Sequence, residues 1–372
     1  MSESLPQISA VILAAGLSSR MVDFKPLLPV GDKTMVEAVI HLFQANHIND
    51  IVVVTGHNFQ ELSCHVKNSG AAPVFNPGFL SGMLGSIQIG IKKICPKSSG
   101  FFLLPVDIPA VRISTVSSMI LEFKRTSDHI IMPYFDDHPG HPPLIPCSMK
   151  KNILDLKDGS SLRDLIFSSP ARLKKIKVHD RGILMDADDK KGYAKVCRKI
   201  KSHFVPDKEE CLSIIHEFLP RDKDAGIRKH LATVSGTAVK LARAVNDNIN
   251  EDLITASSLL HDIKRKKKCH AAKGADLVSA MGFKEVAAVI AQHMDIDIDS
   301  TSRIREKEIV YFADKICAGT GLDLDYHKRF AQCIKKSPWA RINITRRYEN
   351  TKHIQARIES SAGKSIKRIL SV

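Results

Sequence analysis

No stretch of the 372 residues approaches the ~18 continuous apolar positions that a membrane-spanning helix needs. The eight cysteines are scattered, with no CxxC pair and no even framework. That pattern argues against a zinc ribbon or a disulfide scaffold and fits free thiols in a reducing compartment. The opening MSESLPQ has neither the basic nor the apolar region of a signal peptide, so a cytoplasmic protein with no membrane partner is expected. Aromatic-rich recognition motifs are also missing, and nucleic acid is not expected as a partner. What is present is ordinary globular composition, 44% hydrophobic and 26% charged, over a length that allows two separate cores. The net charge is +15, and the basic excess is partly local: between positions 335 and 372, ten Lys and Arg face only Glu349 and Glu359. Such a balance suits anionic small molecules as substrates.

The chain is organised around residues 8–30, ISAVILAAGLSSRMVDFKPLLPV. Ala10 to Leu13 form an apolar run of the kind a doubly buried strand needs. It stops at Ala14-Ala15-Gly16, where small residues let backbone amides approach a ligand. Arg20 and Lys25 follow. Amides together with two cations make a triphosphate cradle. The same residues also fit a plain strand-loop with a solvated basic rim. The segment is neither GxxxxGK[ST] nor GxGxxG.

Residues 34–45 read as a helix with Met35, Val36, Val39, Ile40 and Phe43 on one face. Strands are expected at 51–54, 73–75, 101–104 and 129–134, with a helix at 58–68. Strands alternating with helices argue a mostly parallel sheet, whose ligands bind outside the carboxyl ends of the strands. Two further loops leave such ends. Residues 76–86 carry Ser81, Gly82 and Ser86 before a helix start, which suits either an anion held by amides or an ordinary Asn-Pro-Gly turn. Asp107 ends an apolar strand, where it serves as a cap or, facing a triphosphate, as a Mg²⁺ ligand.

The motif LAAG-x-SSRM-xxx-K-x-LLP, Leu13 to Pro29, resembles the signature of the nucleotidyltransferases that attach a nucleotide to molybdopterin, and the LAAG form resembles their cytidylyltransferase branch. Val22 stands where that family usually has Gly. The NP-xxxx-GM-xx-SI-xx-GI element is similar at 76–91, and Gly140-His141-Pro142 and Asp158-Gly159-Ser160-Ser161 resemble the elements lining the pterin side. Residues 104–109 match LxDQP with Ile108 for Gln. Residues 186–192 resemble DIDTPEDL with the TPED part degraded, which aligns Asp188 with the metal-binding acid. The resemblance covers about 8–197 and implies a Rossmann-like nucleotidyltransferase fold. It further implies that Leu13, Ala14, Ala15, Gly16, Arg20, Lys25, Ser81, Gly82 and Ser86 bind the nucleotide. Arg20, Lys25, Asp107 and Asp188 would be catalytic, with Mg²⁺ on the two acids. CTP, ahead of GTP, would be the donor and molybdopterin the acceptor, with pyrophosphate released. A molybdenum hydroxylase apoenzyme or its maturation factors would be the protein partners.

Beyond residue 206 strand signals vanish and one helix follows another. His230, Val234, Thr237, Leu241 and Val245 share a helical face. Helices are also expected at 253–263, 286–293, 309–317 and 341–369. His261 and Asp262 are adjacent on one turn, and Asp314 lies in an otherwise apolar helix, where a carboxylate needs a partner. Histidine and aspartate together suit Mn, Fe or Zn, and Mg less well. The order His230…His261-Asp262…Asp314, with His270 and His293 between, resembles the HD superfamily of metal-dependent phosphohydrolases, in the subgroup holding two metals. HDIK replaces HDIG here, and the following Lys264, Arg265 and Lys266 either bind substrate phosphate or form a solvated face.

The expected architecture is an α/β Rossmann-like nucleotidyltransferase domain with a mostly parallel sheet over residues 1–205, then an all-α HD domain over 206–372 with its core at about 225–330. Nucleotidyl transfer to a sugar or alcohol phosphate is an alternative for the first domain. A non-catalytic carrier of molybdenum cofactor with a regulatory HD domain is another.

Overall fold

The computed structural model describes residues 7–17, 23–299, 303–319 and 321–371. The chain folds as two compact units, Met1–His203 and Phe204–Val372.

In the first unit the elements run β1 (Ile8–Ala14), β2 (Pro29–Val30), β3 (Lys33–Thr34), α1 (Met35–Gln44), β4 (Asp50–Thr55), α2 (Phe59–Asn68), β5 (Ala72–Phe75), α3 (Met83–Lys93), β6 (Gly100–Pro105) and α4 (Ile113–Arg125). After these come β7 (Ile130–Phe135), β8 (His138–Pro139), β9 (Leu144–Pro146), α5 (Lys150–Leu154), α6 (Leu162–Phe167), β10 (Leu173–Lys177) and α7 (Lys190–Lys201). The sheet order is β10-β7-β9-β6-β1-β4-β5, with β8 added to β7. β1 pairs in parallel with both β4 and β6, whereas β9 is antiparallel to β6 and β7.

Every residue of β1 is buried, and the twofold side-chain alternation divides it between two cores. Ala10, Ile12 and Ala14 join Val36, Val39, Phe43 and Val196 on one face. Val11, Leu13 and Ala15 join Val54, Ile87, Ile91 and Ile153 on the other. A central strand covered on both faces has to be apolar throughout, which is why AVILA reads as one unbroken run. α1 is started by a capping box in which Thr34 and Glu37 satisfy each other's backbone N–H. The chain crosses from β5 on one side of β1 to β6 on the other, so the sheet's switch point lies at the carboxyl end of β1. Gly56, after β4, is needed there: a Cβ would sit 2.5 Å from the Ala15 carbonyl oxygen.

The second unit is helical: α8 (Lys208–Phe218), α9 (Arg221–Ala244), α10 (Glu251–Leu260), α11 (His270–Ala280), α12 (Lys284–Ala291), α13 (Glu306–Ile316), α14 (Tyr326–Lys336), α15 (Arg341–Ala362) and α16 (Ile366–Leu370), with a two-residue hairpin at 317–322. The single helix expected over 341–369 is two helices, because Gly363 adopts φ +62° and ends the first. The core centres on Tyr311, Phe312, Phe283 and Tyr326, each at most 2% exposed. Arg357 pairs with the buried Glu308 and ties α15 to α13. No helix among the described residues is long and apolar enough to cross a membrane.

Candidate functional site

At the carboxyl end of the sheet, three residues from separate parts of the chain meet. Lys25 lies in a 3-10 turn, Lys25–Leu27, and is buried with its Nζ 2.9 Å from Asp188 Oδ1 and 3.8 Å from Asp107 Oδ2. The Val106 amide donates to the Leu13 carbonyl at 3.0 Å, which levels the Asp107 turn with the end of β1. The Ala187 amide donates to the Asp107 carbonyl at 2.9 Å and brings Asp188 alongside. Burial pushes the Asp107 carboxyl above its ordinary range, Lys25 pulls it back, and the charges of Asp188 and Asp186 push it up again. Two like charges competing for one ammonium are what a divalent cation would relieve, so the pair fits Mg²⁺.

The segment bearing Asp188 is fixed from behind. Asp180 is 2% exposed and accepts from the Arg112 amide at 2.8 Å, Arg112 Nη1 at 3.1 Å, Thr115 Oγ1 at 2.7 Å and the Gly182 amide at 2.9 Å. Gly182 passes so close to Ala110 that a Cβ would lie 2.0 Å from its carbonyl oxygen. Asp180 is thus a residue that holds the site without touching it, and nothing in the sequence marked it.

The other expected nucleotide contacts divide by exposure. Leu13, Ala14 and Ala15 are buried, whereas Gly16 is exposed with open space where a Cβ would be. Arg20, with Ser18, Ser19, Met21 and Val22, lies outside the described residues. Ser86 is buried and bonded to Asn76 Nδ2 at 2.9 Å, so it braces the loop. Gly82 precedes α3 at φ +113°, a conformation that favours glycine. Ser81 and Gly82 line a cavity of about 500 Å³ together with His141, Ser160 and Arg163. Met83, Leu103, Met132 and Phe167 give it apolar walls. His141 Nδ1 is buried there with no hydrogen-bond partner among the described residues, and burial holds its imidazole below its ordinary range.

In the helical unit His230, His261, Asp262 and Asp314 form one group whose ligand atoms lie within 4.8 Å, and Asp262, His270 and His293 form a second. Most of the ligands sit at helix ends: His261 is the C-cap of α10, His270 opens α11, His293 follows α12 and Asp314 is in the last turn of α13. Asp262 is common to both groups. Its Oδ2 is 3.4 Å from His261 Nε2 and 3.8 Å from His230 Nε2, and its Oδ1 is 3.3 Å from His270 Nε2 and 3.5 Å from His293 Nε2. Asp314 Oδ1 is 3.2 Å from His230 and 3.4 Å from His261.

The backs of three rings are held by carbonyls: His230 Nδ1 to Gly319 at 3.2 Å, His261 Nδ1 to Ser258 at 2.8 Å, and His293 Nδ1 to Ile290 at 2.6 Å. A carbonyl only accepts, so each Nδ1 carries a proton and each Nε2 turns inward as the ligand atom. His261 Nε2 and Asp262 Oδ1 are sealed from solvent yet make no hydrogen bond among the described residues. Burial lowers the His261 imidazole, but Asp262 and Asp314 outweigh it and raise it to about 10. Both carboxyls lie far below their ordinary range: burial alone would raise them, and His261 for Asp262 and Lys315 for Asp314 lead the groups that reverse it. Two orphaned polar atoms, His261 Nε2 and Asp262 Oδ1, within a convergence of four histidines and two aspartates fit divalent metals of the Mn, Fe or Zn type.

This centre opens onto a cavity of about 810 Å³ that also receives Arg265, Lys315, Arg329 and Arg347. Two of these cations rest on carboxylates of the cluster: Arg265 on Asp262, and Lys315 on Asp314 Oδ2 at 2.6 Å. Lys315 had a sequence signal, a lysine directly after the buried Asp314. Arg329 and Arg347 had none, because they lie on helices that carry no ligand.

Residues 10–174 match the family model described as the MobA-like NTP transferase domain, and residues 227–319 match the HD domain. Molybdenum cofactor cytidylyltransferase of Escherichia coli (strain K12) is 30% identical over 146 residues, 38% of this chain and 73% of that protein. The tRNA (cytidine(56)-2'-O)-methyltransferase of Thermoplasma volcanium is 30% identical over 139 residues, 33% of this chain and only 39% of that protein. The crystal structure of Rv0371c from Mycobacterium tuberculosis H37Rv superposes with a TM-score of 0.47 at 22% identity, over 52% of this chain and 100% of that one.

Proposed function

The chain belongs to the MobA-like NTP transferase domain family and carries an HD domain behind it, and from that membership we propose that its first unit transfers a nucleotide, CMP ahead of GMP, from an NTP to molybdopterin. The meeting of Lys25, Asp107 and Asp188 at the carboxyl end of the sheet is the observation that supports this most. A phosphate oxygen of the acceptor bonds to the α-phosphorus, the bond from that phosphorus to the bridging oxygen breaks, and pyrophosphate leaves. No protein nucleophile is required, because the acceptor phosphate is one. Asp107 and Asp188 would hold Mg²⁺, which when bound neutralises charge on the phosphates. Lys25, and Arg20 five positions before it in the sequence, balance the charge that develops on pyrophosphate. The cavity lined by His141 and Ser160 receives the acceptor, with its apolar walls against the ring system.

The HD unit, on the same footing, hydrolyses a phosphate ester. A water oxygen bonds to phosphorus, the ester P–O bond breaks, and the alcohol departs with a proton. The histidines and aspartates would hold metals that supply charge neutralisation and a nucleophile at neutral pH. Two assays test the pair of activities. With molybdopterin, Mg²⁺ and CTP or GTP, the product mass should rise by one nucleotide with CTP. With manganese and p-nitrophenyl phosphate, release of nitrophenol should vanish in His261→Ala. A protein that binds the cofactor tightly without forming the dinucleotide would instead be a carrier.

A further inference from the structure

The cavity at the metal ligands is longer than a single phosphate requires, and two helices wall it. Arg329, Cys333 and Lys336 share one face of α14, and Ile344 and Arg347 share one face of α15. The two helices run antiparallel through the tight turn Pro338–Ala340, and the rings of Phe330 and Tyr348 stand 5.5 Å apart. Arg329 and Arg347 are therefore level at the inner end. Arg329 reaches the Lys315 carbonyl there, beside Asp314. Lys336 stands seven residues on, about 10 Å further out at helical rise. Between the two ends the walls are apolar, formed by Phe330, Cys333 and Ile344. The turn at the mouth carries Trp339, the only tryptophan of the chain, 89% exposed, with Ile342 86% exposed beside it. Lys335 and Arg341 flank them.

Basic side chains at both ends, of which Arg329 and Arg347 at the inner end also pair with Asp323 and Asp295, an apolar middle and an open aromatic at the rim repeat the pattern of a single nucleic-acid strand, phosphate, base, phosphate, base. Backbone charge meets lysine and arginine, and a base stacks on tryptophan. An anionic membrane is the poorer match. Only two large apolar side chains are exposed here, and Asn343, Thr345 and Arg346 follow them rather than an apolar helix face.

We propose that this groove binds a single-stranded oligonucleotide with its terminal phosphate toward the metal ligands, an assignment of substrate class that rests on the phosphohydrolase reading of the centre. The test uses the full chain with fluorescein-labelled dodecamers of mixed sequence carrying a terminal phosphate, one of RNA and one of DNA, followed by anisotropy at low and at moderate salt. Saturable binding that weakens with salt is expected, and Trp339→Ala should weaken it at least about fivefold. Lys336→Ala should flatten the salt dependence. The preferred sugar follows from comparing the two strands. Absence of binding by both strands would overturn the proposal, and so would binding that neither substitution changes. It would equally fall if vesicles containing phosphatidylglycerol, and not the oligonucleotides, bound in a Trp339-dependent way. Hydrolysis of p-nitrophenyl phosphate by the manganese-loaded wild type reports on the metal centre alone. Its absence beside Trp339-dependent binding would remove the hydrolase reading and leave the groove's assignment standing.

Discussion

Lys25 and Asp188 are 163 positions apart in the chain, yet Lys25 Nζ rests 2.9 Å from Asp188 Oδ1. The contact places a nearly buried ammonium between the two acids of the candidate transferase site. Lys25→Met should keep the fold while lowering the transfer rate by about 10²–10³, the usual effect of losing one preorganised charge at a developing anion. Single-turnover kinetics with saturating nucleotide would measure it, and a loss confined to KM would argue for ground-state binding only.

Asp180 supports that site from the far side of the chain segment. Its side chain and that of Arg112 are each 3% exposed. Asp180→Ala leaves a buried guanidinium without its carboxylate and should cost about 3–5 kcal/mol of stability. Denaturant titration of the full chain, followed with a probe in the first unit, gives the number. A loss well under 1 kcal/mol would mean that the network holds nothing in place.

Asp262 is shared by both groups of residues that could hold a metal. Manganese should raise the thermal stability of the wild type, and Asp262→Asn should abolish the shift. His270→Ala should keep the shift in part, because His230, His261, Asp262 and Asp314 remain, while metal content per chain falls by half. Equal metal content in His270→Ala and wild type would rule out the second position.

Asp295 binds Arg346 at 3.1 Å and Arg347 at 2.9 and 2.6 Å, and the Arg347 hydrogen bond holds its carboxyl below the ordinary range. A depressed folded value adds stability above the unfolded value of about 3.9 and loses it as pH falls through the folded one. Asp295→Asn should therefore lower stability at pH 7 by less than about 1 kcal/mol, since the pair is partly exposed. The difference from wild type should close in acid. A gap that widens on acidification would reverse the sign.

His141 lines the cavity proposed for the acceptor, with one ring nitrogen unpaired among the described residues. His141→Ala should raise the KM for the acceptor about three- to tenfold, the worth of one hydrogen bond, and leave the KM for the nucleotide unchanged. A rise in the nucleotide KM instead would move the histidine to the other substrate.

Much of this was legible in the sequence because β1, β4 and β6 are unbroken apolar runs, and a doubly covered strand leaves no alternative reading. β9 was not legible: Leu144–Pro146 is three residues long, follows two prolines and ends on a third, and is a strand only because β6 and β7 leave a gap for it. The metal ligands could be picked out by type, since Asp314 in an apolar helix demands a partner. Which oxygen of Asp262 faces which histidines depends on where four helix ends meet, and no local pattern encodes that. The groove was hidden for the same reason. In the sequence Lys336, Trp339 and Arg347 belong only to a basic stretch, and a groove exists only once α14 and α15 fold back on each other.

The most direct measurement is pyrophosphate release with Mg²⁺, molybdopterin and CTP or GTP in turn, wild type beside Asp107→Ala. The account predicts release with CTP ahead of GTP, lost in the variant. No release with either nucleotide, or release that survives Asp107→Ala, would contradict it.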